Sequence, residues 1–284
     1  MNETSPFGAY APAGAVRWLM ARTRALPDAW AARRLALALR RAAIRLLAGR
    51  PVDTEALGAR MRLHPYTNNC EKKLLFTPQY FDAAELELLA ERIARRPGPG
   101  FTFIDIGANV GAYALFVAGR AGPGARILAV EPQPEIFDRL VYNIGQNPTG
   151  VVKAVACAVA DRPGELTLFL DPRNSGESSV RIVGESRLST IRVPAVTLLD
   201  LCRDEGLTRL DAVKLDVEGA EDIILEPFLR DAPPDLLPRL AIIEDGSERW
   251  QVDLPALMES RGYRLVLRSR LNFVYELDPA PEVP

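Results

Sequence analysis

The sequence is poor in the residues that build disulfide frameworks, zinc sites and membrane spans. Its three cysteines, Cys70, Cys157 and Cys202, are widely separated, which suits neither a set of disulfides nor a zinc site with paired ligands. No apolar run reaches the length that a transmembrane helix needs, and no small-residue cleavage site follows the N-terminal helical pattern. We therefore expect neither a membrane span nor a secretory signal, and a reducing, cytoplasmic location.

The sequence also lacks an overall excess of one charge. It has 35 basic and 37 acidic residues and a pI near 5.7, which predicts no binding to nucleic acid. The distribution is uneven, because residues 16–49 contain eight arginines and a single acid, Asp28. We expect two helices here, broken near Pro27, the second capped by Asp28 and ended by Gly49. A basic amphipathic helix can lie on an anionic membrane surface or pack on its own domain, and both remain open. The oligomeric state is open too.

Beyond residue 100, short apolar runs alternate with helical patterns. With 48% hydrophobic residues, a chain of 284 residues can bury one large core, so we expect one main domain after an N-terminal extension. The alternation of strand and helix predicts a parallel sheet. The expected strands cover residues 101–106, 126–131, 151–159, 212–216 and 240–244, and a terminal hairpin follows.

The segment "FIDIGANVGAYALF" predicts a strand that ends at a glycine-rich turn and continues as a helix. Such a turn aims backbone N–H groups at a small ligand, although a plain tight turn has the same pattern. Gly107, Asn109 and Gly111 form G-x-N-x-G, which differs from the G-x-G-x-x-G/A of dinucleotide sites. Asparagine tolerates left-handed backbone angles, so Asn109 can replace the middle glycine.

Two acids near this turn help to identify its ligand. Glu131 ends the next strand, about twenty residues on, where a ribose-binding carboxylate is expected for NAD and for S-adenosylmethionine alike. Asp105 discriminates between them, because a carboxylate beside a pyrophosphate costs about 1 kcal/mol or more at ~4 Å. S-adenosylmethionine carries an ammonium and a sulfonium and no phosphate. The sequence therefore favours S-adenosylmethionine, with an NAD-dependent oxidoreductase as the alternative.

Five segments together resemble the FkbM family of S-adenosylmethionine-dependent methyltransferases: "FIDIGANVGAYALF", "AVEPQPEIFDRLVYNI", "AVADRPGELTLFL", "VPAVTLLDL" and, most specifically, "VKLDVEGAE". The resemblance covers residues 69–276. It implies an α/β class I methyltransferase fold, Rossmann-like, with a seven-stranded, mostly parallel sheet and helices on both faces. We accordingly divide the chain into an Arg/Ala-rich helical extension, 1–68, and a methyltransferase domain, 69–284.

The same resemblance implies an activity and a set of cofactor contacts. The expected reaction is methyl transfer to a hydroxyl of a sugar, glycan or natural product, and N-methylation with the same cofactor stays open. Asp105 and the three loop residues are expected along the methionine part of the cofactor, and Glu131 on the ribose hydroxyls. Two residues after the strand at 151–159 are expected beside adenine: Ala160 and Asp161. Asp161 also fits a turn acid before "RPG".

Catalysis then needs little more than an oriented hydroxyl and one base, because the methyl donor is already activated. Asp216 and Glu218 follow one expected strand, and Glu244 ends the next. Ligands of open α/β sheets bind at these carboxyl ends. Asp216 is our first candidate base, with Glu244 as its partner. Glu218 is a candidate substrate contact that also fits a helix or turn cap. Acids at these strand tips also suit Mg²⁺, but the sequence by itself does not support a metal, so we assign no metal ligand.

Four further residues are candidates for the acceptor side. His64 is the sole histidine and a natural base near neutral pH, although it precedes a proline in an extended segment and also fits a surface histidine. Glu71 lies where the N-terminal segment of this family approaches the site, so we expect a substrate contact there. Ser178 and Ser179 belong to a loop, "NSGESSV", that is long enough to close over an acceptor.

Overall fold

The computed structural model describes residues 5–96, 100–170, 178–179 and 189–278. Its α-helices are α1 Gly14–Arg24, α2 Trp30–Leu47, α3 Asn69–Phe76, α4 Ala83–Arg95, α5 Ala112–Ala121, α6 Pro134–Gly145, α7 Leu198–Asp204, α8 Glu221–Asp231 and α9 Leu254–Ser260. Its strands are β1 Val52–Ala56, β2 Ala59–Leu63, β3 Thr102–Ile106, β4 Arg126–Val130, β5 Val152–Val155, β6 Ala158–Val159, β7 Gly164–Leu170, β8 Ser178–Ser179, β9 Ser189–Val196, β10 Ala212–Leu215, β11 Leu240–Glu244, β12 Tyr263–Arg268 and β13 Asn272–Leu277. In this part of the chain, none of the helices has the length and apolar character that a bilayer crossing requires.

The main sheet has seven strands in the order β12-β13-β11-β10-β3-β4-β5. All are parallel except β13, which runs antiparallel to both of its neighbours. β3 and β10 are buried along their whole length, as expected for strands covered by helices on both faces. The strand order reverses between these two strands, which is where ligands bind in such sheets. The structure thus confirms the predicted α/β class I fold.

Alternate residues of the central strands face two separate layers of core. Phe103 packs in one apolar cluster with side chains of α3, α4, α5 and α6, whereas Ile104 packs in the other with side chains of α7, α8 and α9. This is the period of two that a pleated strand imposes. The sheet is therefore packed against apolar side chains on both faces.

The strand predicted at 151–159 is two strands. β5 ends at Val155 and belongs to the main sheet, whereas β6 pairs in parallel with β9 in a second sheet of order β6-β9-β7-β8. The chain thus leaves the main sheet before it reaches Ala160. This second sheet forms part of the wall above the strand tips.

The N-terminal extension begins with the predicted helix pair and continues as a β-hairpin, β1–β2. The break near Pro27 is confirmed, but Asp28 is not the cap. α2 starts at Trp30 with Ala29 at the N-cap position, and the Asp28 carboxylate instead accepts hydrogen bonds from Arg33. Gly49 follows the end of α2, as predicted.

The extension shares its core with the sheet domain. Leu19, Met20 and Leu47 belong to the same apolar cluster as the side chains of α3 and α5. The Arg24 guanidinium donates to the Leu75 carbonyl oxygen at 3.0 Å. Residues 5–68 are thus packed into the fold, and the boundary at residue 69 stays a prediction about the family domain.

Candidate active site

One pocket lies at the carboxyl ends of β3, β4, β10 and β11. The space inside it, counted out to its open mouth, is about 1300 Å³. Its wall carries six carboxyl groups and two lysines: Asp82, Asp105, Glu131, Asp216, Glu218 and Glu244, with Lys73 and Lys214. This balance suits a cationic ligand and opposes a pyrophosphate.

The glycine-rich turn has the backbone that its sequence predicts. Gly107 and Asn109 both have left-handed angles, with φ of 75° and 49°. The Asn109 side-chain oxygen accepts hydrogen bonds from the Val110 backbone N–H at 3.0 Å and from Asn68 Nδ2 at 2.8 Å. The prediction that asparagine replaces the middle glycine is confirmed.

The flanking glycines serve packing. A Cβ at Gly107 would lie 1.9 Å from the backbone oxygen of Asp216, so glycine is required for the close approach of β3 and β10. Gly111 is the N-cap residue of α5, with φ of 93°, and a Cβ there would lie 2.8 Å from Leu140 Cδ1 on α6. Gly111 is not among the residues that line the pocket, and its expected place beside the cofactor stays a prediction.

Glu131 and Asp105 both line the pocket at neighbouring strand tips. Glu131 accepts hydrogen bonds from the backbone N–H groups of Asn109 and Gln133, each at 2.9 Å. Burial raises the pKa of Glu131 to about 7, against the effect of these two hydrogen bonds. Burial likewise raises the pKa of Asp105 to about 7, opposed by Lys214 and by a hydrogen bond from Ala114 N–H. A nearby positive charge or hydrogen-bond donor would shift both groups towards the ionised form.

Asp216, Lys214 and Glu244 form a second group at the tips of β10 and β11. Lys214 Nζ donates to Asp216 Oδ2 at 2.9 Å, and 42% of the Asp216 side chain is exposed, while Lys214 is buried. Burial opposes ionisation of Asp216, but the Lys214 charge and hydrogen bonds from Lys214 and Glu244 lower its pKa overall. Burial and the charge of Asp216 raise the pKa of Glu244 to about 10. Both shifts favour an ionised Asp216 and a protonated Glu244 at neutral pH.

Sequence reasoning missed Lys214. Its signal is a lysine inside an otherwise apolar strand, in "VKLD", two residues before the candidate base. A lysine is rarely buried without a partner of opposite charge. The pattern therefore pointed to an ion pair at the strand tip.

The carboxylates of Asp216, Glu218 and Glu244 also form a candidate cation site. Each offers an oxygen, and the three oxygens lie within 4.8 Å of one another. Oxygen ligands suit Mg²⁺ in kind. However, the Lys214 ammonium and the Glu244 proton already supply positive charge to this group, so a metal would have to compete with both.

Glu218 stands on the pocket wall, with a left-handed φ of 57°. It is not the acid that caps this turn. Glu221 has that role, because its Oε1 accepts from the backbone N–H groups of Val217 and Gly219 at 3.1 Å each. Substrate contact by Glu218 stays a prediction.

His64 and Glu71 are misplaced by sequence reasoning. Both are buried and neither lines the pocket, so His64 is neither the expected base nor a surface histidine. The Glu71 carboxylate accepts a hydrogen bond from the His64 backbone N–H and pairs with Arg139 Nη1 at 2.6 Å. Burial raises the pKa of Glu71 to about 7. Glu71 therefore ties the segment before α3 to α6 and cannot contact a substrate in this structure.

The expected contacts of Ala160 and Asp161 with adenine stay predictions. Ala160 is buried and its N–H donates to the Val196 carbonyl oxygen, while Asp161 is exposed in a turn, and neither lines the pocket. Residues 157–159 form the wall there instead. Ser178 and Ser179 pair through their backbone with β7, and their side chains lie outside the described part of the chain.

Comparison with known proteins adds four findings. Residues 105–265 match the family model described as the methyltransferase FkbM domain. The methyltransferase sdnD of Sordaria araneosa is 29% identical over 221 residues, which cover 67% of this chain and 80% of that protein. The hexuronic acid methyltransferase AglP of Haloferax volcanii is 28% identical over 123 residues, 43% of this chain and 47% of that protein. Among solved structures, the human methyltransferase 10 domain containing protein is 14% identical over 84% of this chain and 94% of that chain, with a TM-score of 0.47.

Proposed function

We propose that this chain methylates a hydroxyl oxygen of a sugar, glycan or natural product. The premise is that the chain belongs to the FkbM methyltransferase family and is thus an S-adenosylmethionine-dependent methyltransferase. The observation that carries the proposal is the position of Asp216, which lines the pocket beside Glu244 and is paired with Lys214 at 2.9 Å. The relative described as a hexuronic acid methyltransferase supports a carbohydrate acceptor.

The residues on the β3–β4 side of the pocket fit the cofactor. S-adenosylmethionine supplies an activated methyl group on a positively charged sulfur. Glu131, at the tip of β4, offers carboxylate oxygens to ribose hydroxyls. Asp105 places a carboxyl group next to the left-handed turn, where it suits an ammonium and opposes a phosphate. The carboxyl groups of Asp105 and Glu131 therefore suit S-adenosylmethionine better than a dinucleotide, because the pyrophosphate of a dinucleotide would bring two negative charges next to Asp105.

The residues on the β10–β11 side fit the acceptor. A hydroxyl proton becomes strongly acidic as its oxygen forms a new bond, so an ionised carboxylate suffices as the base. Asp216 accepts this proton in our proposal. Lys214 keeps Asp216 ionised, and the Glu244 proton orients its carboxylate. Lys214 and Glu244 are thus positioning residues that act through Asp216.

The test incubates the protein with S-adenosylmethionine that carries a ¹³C-labelled methyl group and with fractions of a metabolite extract from the cells that produce this protein. The proposal predicts new O-methyl resonances in the NMR spectrum with the wild-type protein. The matched control is the Asp216→Asn protein, which should give much weaker signals. Label found on nitrogen alone would refute O-methylation and leave the cofactor assignment intact.

A further inference from the structure

The outer faces of α1 and α2 carry large apolar side chains in solvent. Trp18 on α1 is 54% exposed and Trp30 at the start of α2 is 76% exposed. Leu35, Leu37 and Leu46 of α2 are exposed as well. Among the described residues, these five side chains make up most of the exposed large hydrophobics. A helix whose only role was to cover the core would not need them.

The outer face of α2 is arranged in two adjacent stripes. Residues 31, 35, 42 and 46 are exposed alanines and leucines that follow one another along one line of the helix, at spacings of four and seven. Arg34, Arg41 and Arg45 are exposed and follow a neighbouring line, one residue before 35, 42 and 46. The opposite face, with Ala36, is already buried against the domain. The apolar and basic stripes are thus unused by the fold that the structure describes.

Helices α1 and α2 together form a helical hairpin, residues 14–50, whose charge differs from that of the rest of the chain. Residues 14–50 contain nine arginines and one acid, Asp28, which pairs with Arg33. The whole chain has 35 basic and 37 acidic residues, so the remainder carries a net negative charge. The Arg34 guanidinium lies 5.5 Å from the Trp30 ring centroid, and Arg22 lies 5.3 Å from that of Trp18. Each of the two tryptophan rings therefore has an arginine guanidinium over it.

From this arrangement we propose that the α1–α2 hairpin binds the surface of an anionic lipid bilayer. Arginines pair with lipid phosphates while leucine and tryptophan side chains enter the boundary between headgroups and acyl chains. A nucleic acid would neutralise the arginines and leave the aliphatic stripe in water, so lipid fits both stripes better. The proposal does not depend on the acceptor of the methyl group.

The hairpin is hydrogen-bonded to the segment beside the pocket. Gln79 Nε2 donates to the Thr23 carbonyl oxygen at 2.9 Å, and the Tyr80 hydroxyl donates to the Leu26 carbonyl oxygen at 2.7 Å. The next two residues, Phe81 and Asp82, line the pocket. The hairpin is therefore hydrogen-bonded to the two residues that directly precede the pocket-lining Phe81 and Asp82.

The experiment is flotation of the full chain with vesicles of phosphatidylcholine, with and without phosphatidylserine. The proposal predicts binding only to the anionic vesicles, weakened by salt. The triple variant Arg34→Gln, Arg41→Gln, Arg45→Gln should bind on the order of 100-fold more weakly, since each arginine near an anionic surface contributes about 1 kcal/mol. The matched control replaces three exposed arginines of the sheet domain, Arg162→Gln, Arg261→Gln and Arg270→Gln, and should bind as the wild type does.

Tryptophan fluorescence gives a second measurement of binding, which does not require bound protein to be separated from free protein. The chain has three tryptophans, and two of them lie on the hairpin. Anionic vesicles should shift the wild-type emission to the blue, and the double variant Trp18→Phe, Trp30→Phe should lose the shift while Trp250 remains. The proposal is overturned if wild-type protein fails to float with anionic vesicles at low salt, or if the control triple loses binding equally. It is also overturned if the hairpin triple instead dissociates a dimer seen by light scattering, or releases bound RNA.

Discussion

Lys214, Asp216 and Glu244 form one hydrogen-bonded group, and the ionisation of each depends on the other two. The lysine is buried at 2% exposure and needs the carboxylate beside it, because an unpaired charge inside a protein is costly. Burial, together with the charge of the same carboxylate, raises the pKa of Glu244 to about 10. Changing one member therefore alters the charge of its neighbours, and the conservative amide substitutions are the informative ones.

Asp216→Asn should separate chemistry from cofactor binding. The amide keeps the shape but cannot take up a proton, so turnover should fall about 10²–10⁴-fold while S-adenosylmethionine affinity stays within a few-fold. The loss should shrink as pH rises, because the acceptor hydroxyl then ionises unaided. Steady-state rates and calorimetry on the same protein check both expectations. Asp245→Asn, on the next strand tip but outside the pocket wall, is the matched control and should keep its activity.

EDTA distinguishes a base from a metal ligand at this position. If Asp216 acts as the base, EDTA should leave wild-type turnover unchanged. Loss of activity in EDTA, restored by Mg²⁺, would assign the three carboxylates of Asp216, Glu218 and Glu244 to a cation instead. Normal turnover of Asp216→Asn would refute both roles.

Glu244→Gln should change how stability depends on pH. The folded protein holds the Glu244 proton up to a pKa of about 10, whereas the unfolded chain releases it near the ordinary value, 4.5. The stabilisation linked to this proton is complete below pH 4.5 and is lost as pH rises towards 10. Glutamine mimics the protonated form at every pH. The unfolding temperature of the variant should therefore rise relative to that of the wild type as pH rises. Glu87→Gln, an exposed position on α4, should show no such trend.

Among the elements, the unit of β3, glycine turn and α5 could be predicted because its signals are local in sequence. An apolar run, a left-handed turn and a helical pattern follow one another within "FIDIGANVGAYALF". The strand tips carrying Asp105, Glu131 and Asp216 followed from the parallel sheet, and all three line one pocket.

Elements that meet across long stretches of sequence could not be predicted in this way. Gly107 touches Asp216, and Glu71 pairs with Arg139, only because of how strands and helices pack. The course of the chain before Ala160 could not be predicted, because β6 leaves the main sheet to pair with β9 and period-two patterns do not say which sheet a strand joins.

Gly107→Ala should disturb the junction of β3 and β10. The new methyl group would lie 1.9 Å from a backbone oxygen that cannot rotate away, and φ is 75°. We expect a loss of roughly 1–3 kcal/mol or more in the free energy of unfolding, together with weaker cofactor binding. Chemical denaturation measures the first effect. Gly119→Ala, in α5 with open space around it, should instead raise stability by up to about 1 kcal/mol, and equal behaviour of the two variants would contradict the packing role.

At the scale of the whole molecule, the N-terminal extension is part of the fold and closes one side of it. The Asp53 carboxylate accepts from the backbone N–H groups of Gly8 and Tyr10, and its other oxygen pairs with Arg62 Nε at 2.7 Å. The Arg62 guanidinium also lies over the rings of Tyr10 and Tyr142, at 4.7 and 4.3 Å. The chain before β1, the β-hairpin and α6 therefore meet at one buried ion pair.

Arg62→Ala should destabilise the whole protein, because it leaves the buried Asp53 charge without its partner. The expected cost is about 3–5 kcal/mol in the free energy of unfolding, read from urea denaturation. Arg60→Ala is the control, two residues away on the same strand with an exposed side chain, and should change stability little. A mild effect of Arg62→Ala would mean that the extension is attached only loosely.

We expect this pocket to bind S-adenosylmethionine through Glu131 and to exclude dinucleotides. Calorimetric titration of the purified protein with S-adenosylmethionine, S-adenosylhomocysteine and NAD tests it most directly, with Glu131→Ala measured alongside and Asp138→Ala, exposed on α6, as the control. We predict binding of both sulfur compounds, no response to NAD, and a loss of roughly 1.5–3 kcal/mol in Glu131→Ala alone. Micromolar binding of NAD with no response to either sulfur compound would contradict the account.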